Sequence, residues 1–165
     1  MSLIKMFLNE LEQEAISTRK MLQIVPTEKF DWQPHPKSMT IRRLATHIAE
    51  IPEWISLGLT TDMIDMAVNP YVPAPINNTA ELMELLEKSI SEAKSQLIEE
   101  NEAKLDGRWV MRNGDQVWVD LSKAEVIRHA LSQLIHHRAQ LGVYLRLLDI
   151  PIPGSYGPSA DEMGK

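Results

Sequence analysis

Cysteine is missing from the 165 residues, which removes thiol nucleophiles, thiolate metal ligands and disulfides together. Any metal site must therefore draw on imidazole, carboxylate or amide donors. Long apolar runs are missing too: nothing approaches the roughly 20 residues that cross a bilayer. The start Met1-Ser2-Leu3-Ile4-Lys5 lacks the layout of a secretory signal, so a cytoplasmic protein with no membrane contact is expected. Positive charge is in short supply, with 17 Lys and Arg against 23 Asp and Glu, a net −6. Without a basic stripe, nucleic acid is not an expected partner. None of the seven glycines belongs to a phosphate-cradling loop or a dinucleotide fingerprint, and a Ser nucleophile elbow is absent.

What is present reads as one domain over residues 1–165, since domains run to about 100–200 residues. From Leu3 to Ile24, apolar residues recur three and four apart, the period of an amphipathic helix. Pro26, Pro34 and Pro36 make the next stretch a loop, which Trp32 pins to the core. A second helix is expected over about 40–59, capped by Ser38 or Thr40 and burying Leu44, Ile48, Ile51 and Ile55, with a bend at Pro52. Residues 60–77 read as a long crossover connection. Asn78 with Glu81 resembles a capping box opening a third helix over about 79–104, and Ser122 with Glu125 opens a fourth over about 122–148. Between these two, Asn113-Gly114 signals a hairpin over about 108–120, and two-residue pairing sets Trp109 opposite Trp118. Residues 149–165 read as an irregular tail. The fold class is all-α: a four-helix bundle with long crossover connections and a small β-hairpin before the last helix, an architecture that builds metal and ligand sites between facing helices.

The histidines are His35, His47, His129, His136 and His137. Rotating about 100° per residue puts His137 inside the apolar stripe of the last helix, His136 well outside it and His129 at its polar edge. Gln133 lies one turn before His137 and reaches the same point of the bundle interior. His47 flanks the buried line of the second helix, on the side of Trp54. A histidine on an apolar face is more often a hydrogen-bonded core residue than a ligand; a second inward histidine changes that balance. His35 reads as a loop cap, Arg138 as a surface ion-pair partner, and Trp54, Trp109 and Trp118 as aromatics covering the core. Asp161 and Glu162 are adjacent loop acids that either solvate the tail or fold over the site, and no carboxylate pair suited to acid/base work stands out.

Three segments, Trp32-Gln-Pro-His-Pro-Lys-Ser-Met39, Leu44-Ala-Thr-His-Ile-Ala-Glu-Ile-Pro-Glu-Trp54 and His136-His-Arg-Ala-Gln-Leu-Gly-Val-Tyr-Leu-Arg146, resemble the DinB/YfiT-like bundle proteins, a damage-inducible family distinct from the polymerase that shares the name. The likeness spans nearly the whole chain. It implies a stress-response protein, commonly a homodimer, holding nickel or zinc by three histidines, one on the second helix and two spaced four apart on the last. It also implies thiol-dependent transferase or isomerase chemistry on a small molecule, with a low-molecular-weight thiol as co-substrate. Carried over by position, the ligands fall on His47, Gln133 and His137, and Gln133 departs from the family histidine. An amide oxygen is a weaker partner than imidazole for a borderline-soft cation. Two readings follow: a metal-dependent enzyme with a site of reduced affinity, or a non-catalytic scaffold that binds a small molecule.

Overall fold

The structure, a computed structural model, describes residues 2–164. Helix α1 (Leu3–Leu22) buries Ile4, Phe7, Leu11, Ala15 and Met21 along one face, as its period requires. Its first free amides are held from outside the helix: Ser2 Oγ accepts from Lys5 N, and the Glu102 carboxylate accepts from Leu3 N at 2.9 Å and Ile4 N at 3.0 Å. A negative group at a helix N-terminus is favourable because unpaired N–H groups and the helix dipole both point at it. The loop that follows is fixed by Trp32, whose ring meets Tyr144 edge to face at 5.8 Å.

The expected second helix is two. Helix α2 (Ile41–Glu50) is capped by Thr40 and α3 (Glu53–Thr60) follows at once. Ile51 and Pro52 keep helical dihedrals, but Pro52 has no N–H to donate and the chain crosses on three-residue bonds, Trp54 N to Ile51 O and Ile55 N to Pro52 O. The helix is interrupted at Pro52, where the bend was anticipated.

The crossover connection contains a strand that the sequence does not announce. β1 (Met63–Asp65) pairs parallel with β2 (Arg108–Asn113), which pairs antiparallel with β3 (Gln116–Ser122), in the order β1-β2-β3. Three residues carry no periodicity of their own; pairing with β2 and the Asp65 carboxylate, which accepts from Gly114 N and Ala67 N at 3.0 Å each, create the strand. The hairpin also corrects the expected register. Its loop is Gly114-Asp115, with Gly114 at φ 59°, and Asn113 pairs with Gln116. A bulge next to Met111 then leaves Trp118 as the extra residue, so Trp109 faces Leu121 instead of Trp118. Trp109 is buried, whereas Trp118 is half exposed.

Helix α4 (Thr79–Gln96) ends eight residues before the boundary expected at Lys104, and a 3-10 turn covers Glu99–Lys104. Asn101 Nδ2 donates to Gln96 O at 2.7 Å, supplying the partner that the last turn of a helix lacks. At the other end only half of a capping box forms: Asn78 accepts from Glu81 N, while Glu81 reaches Asn77 N and the Asn78 amide. The box at Ser122 and Glu125 is complete and opens α5 (Lys123–Leu147). Helix α5 packs against α1, α2 and α3, and α4 covers α1, α2 and α3 from the other side. With neighbours around much of its circumference, α5 buries Arg138 as well as its apolar stripe.

Candidate functional site

Two imidazoles meet at the centre of the bundle. Helix α2 presents His47 across to His137 on α5, the rings edge to face with centroids 4.7 Å apart. His137 is 9% exposed and His47 half-buried. Burial drives the His47 pKa down to about 4, helped by the nearby His137 ring and the Arg43 guanidinium. Burial also lowers that of His137, with the Gln140 hydrogen bond working in the other direction. Both rings are therefore neutral at pH 7, the form that offers a lone pair to a metal ion.

The orientation of the pair is informative. His137 Nδ1 donates to the Gln140 amide oxygen at 2.8 Å, which fixes the proton on that nitrogen and leaves Nε2 as the lone-pair donor, the arrangement by which outer hydrogen bonds orient metal-ligating histidines. Gln140 follows His137 by three residues on the same helix, a spacing visible in the sequence that the sequence reading passed over. His47 Nδ1 is buried without a hydrogen-bond partner among the described residues. An orphaned buried nitrogen costs about 1–3 kcal/mol, a cost a bound group would offset.

Gln133 is half-buried and borders the same cavity as His47, a space of about 150 Å³ walled by Ile51, Trp54, Trp109, Met111, Val126 and Ala130. Its amide nitrogen lies 3.5 Å from His129 Nε2, at the long limit of a hydrogen bond. The three expected positions thus divide: His47 and His137 are in ring contact, and Gln133 joins His47 through the cavity wall. Among the described residues, no three His, Cys, Asp or Glu side chains cluster as a metal would require. The donor set is two neutral imidazoles and one amide, chemistry that fits a divalent ion with a weak third ligand.

The other expected residues sort as follows. His136 is exposed, as its helical phase requires, yet its ring stacks edge to face on His137 at 4.9 Å. His35 caps its loop by accepting from Lys37 N. Asp161 and Glu162 stay in the tail: Asp161 pairs with Arg146 and accepts from Ile152 N, and Glu162 accepts from Gly154 N and Ser159 N. Arg146 holds the Asp161 carboxyl down to about 2. Arg138 is not a surface partner. It is 2% exposed and pairs with buried Glu14 at 2.6 Å, because α1 packs over that side of α5. Tyr156 from the tail closes that cluster, donating to Glu14 at 2.8 Å and accepting from Arg138 at 3.0 Å.

The fold is a mostly helical bundle with a small three-stranded sheet, and comparison with known proteins gives its family. The family model described as the DinB family matches residues 1–164, and the chain belongs to that family. It is similar to the uncharacterized protein YrdA of Bacillus subtilis (strain 168), 21% identical over 160 residues that cover 96% of this chain and 91% of that protein. Among solved structures it resembles the DinB-like protein YjoA of Bacillus subtilis, with a TM-score of 0.68 at 16% identity, covering 91% of this chain and 97% of that one. A DinB-like protein from Bacillus cereus ATCC 10987 matches with a TM-score of 0.66 at 20% identity, covering 91% and 95% respectively. No helix among the described residues is long and apolar enough to cross a membrane.

Proposed function

We propose that the protein is a divalent-metal-dependent enzyme acting on a small molecule, with His47 and His137 as the principal ligands, Gln133 as a weak third and nickel or zinc as the ion. The observation that carries this reading is the pair of facing, neutral imidazoles, one oriented by Gln140 and the other with a buried nitrogen left unpartnered. When bound, such an ion supplies Lewis acidity that activates a small nucleophile such as a thiol, which a chain without cysteine must obtain from a co-substrate. The chain's own contribution is binding and exclusion of water. Trp54, Trp109, Met111 and Val126 provide an apolar wall for the body of the substrate beside His47, and Gln140 keeps the His137 lone pair pointed inward. Elemental analysis of untagged protein purified without added metal tests the proposal: about one nickel or zinc per chain is expected, and protein that neither retains nor takes up either ion sinks it.

One observation favours a second reading, a small-molecule-binding scaffold without turnover: among the described residues, no carboxylate lines the cavity to move protons. The two readings part on activity, since only the enzyme transfers a thiol to a model electrophile when loaded with nickel or zinc. In either case we propose a homodimer. Val143 and Leu147, one turn apart on α5, are each 60% exposed, and light scattering should return about twice the 18.8 kDa of one chain.

A further inference from the structure

Next to the apolar cavity lies a more open groove of about 440 Å³, bordered by Arg43, His47, Tyr71, Trp118 and Asn113. The two spaces share His47, Trp54 and Met111 as walls, so a ligand in the groove contacts the same His47 that borders the cavity. Arg43 is unlike the other arginines. Arg19, Arg42, Arg108, Arg112, Arg138 and Arg146 each hold a carboxylate, and Arg128 is exposed. Arg43 is half-buried, holds no carboxylate among the described residues, and its Nη1 is buried without a hydrogen-bond partner. Its guanidinium is stacked 5.0 Å from the centre of the Tyr71 ring and also meets the Tyr71 hydroxyl, which limits its rotation and leaves Nη1 as the donor without a partner. The acid nearest in sequence on the same helix, Glu50, is engaged elsewhere, accepting from the Tyr71 hydroxyl and from Ala74 N.

A buried guanidinium nitrogen without a partner is costly in the empty protein and becomes favourable once an anion arrives. Arginine presents its donors as a planar fork that matches the two oxygens of a carboxylate. Among the described residues Arg43 is the only Lys or Arg lining the groove, so a phosphate dianion would keep an uncompensated charge there, while a carboxylate would not.

We propose that Arg43 is the anion-recognising residue of this site and that the ligand is a small carboxylate whose apolar part rests on Trp54 and Met111, past His47. This deepens the proposed function and rests on reading the His47 cavity as a substrate site. A purely structural role, with Arg43 serving only as a platform for Tyr71, is the competing account, and it gives no reason for a carboxylate to be preferred over a neutral isostere.

The test compares phenylacetate with phenylacetamide, titrated by tryptophan fluorescence into metal-free wild type, Arg43→Met and Arg43→Gln, with nickel affinity of each protein measured separately. Wild type should bind the acid about tenfold more tightly than the amide, a ratio typical of one charge-assisted contact, and both variants should lose that preference while binding nickel no more weakly than wild type. Equal binding of acid and amide by wild type, binding of neither, or persistence of the preference in a folded variant overturns the proposal. The wild-type comparison requires no variant to fold. Because it is made without metal, failure of the metal reading leaves its outcome intact, and a loss of nickel binding alone counts against that reading only.

Discussion

His47 on α2 and His137 on α5 face each other edge to face with ring centroids 4.7 Å apart. Two helices distant in sequence converge there, and the surrounding burial keeps both rings uncharged. The pair therefore carries a stability cost in acid that either ring exposed on a surface would not.

That cost gives the first prediction. His47 titrates near 6.5 in the unfolded chain and near 4 in the fold. Between those values the unfolded chain binds more protons, so stability present above pH 6.5 is lost as the pH falls through this window. Allowing for the solvent access of a half-buried ring, the loss is on the order of 1–2 kcal/mol. Urea denaturation with chelator present, at pH 7 and at pH 4.5, should show a smaller loss for His47→Gln than for wild type. Equal losses would mean that the fold does not hold this ring neutral.

The second prediction separates the neighbouring histidines. His137→Ala removes a buried ring hydrogen-bonded to Gln140 and should abolish nickel retention, with a stability loss of about 1–3 kcal/mol. His136→Ala removes an exposed ring that only flanks the site and should cost less than about 0.5 kcal/mol. Metal content and thermal unfolding of both variants check this, and reversed effects would refute the assignment.

The third prediction concerns the ion pair beneath the site. Arg138 and Glu14 are 2% and 6% exposed, so removing one partner strands the other as a buried charge, and Arg138→Ala should cost about 3–5 kcal/mol. The double variant Arg138→Met, Glu14→Leu should recover much of that loss, because no uncompensated charge remains. Denaturant titration distinguishes this from a surface pair, for which Arg138→Ala would change stability by less than about 1 kcal/mol.

The helices that bury a clear stripe were legible in the sequence, as were the caps at Thr40 and Ser122, because these features depend on residues within a turn of one another. The inward phase of His137 followed from the same local geometry. Features that depend on distant partners were not legible. β1 exists only because Asp65 and its neighbours meet β2 and the hairpin loop, and a two-residue turn signal does not reveal the bulge that leaves Trp118 unpaired. Arg138 read as a surface residue because helical phase locates one buried face and cannot reveal that α1 covers a second. The unpartnered Nη1 of Arg43 was equally invisible, since the nearest acid on its helix, Glu50, is taken by Tyr71 and Ala74.

The most direct test of the metal-site reading is a competition titration of nickel or zinc against a chelator, using untagged wild type, Gln133→His, and Gln133→His combined with His47→Ala. Replacing an amide by an imidazole beside two neutral histidines should tighten binding at least tenfold, about 1.4 kcal/mol, and removing His47 should erase that gain. If Gln133→His binds no more tightly than wild type, or if the gain survives the loss of His47, the three positions do not converge on an ion and the site is not a metal centre.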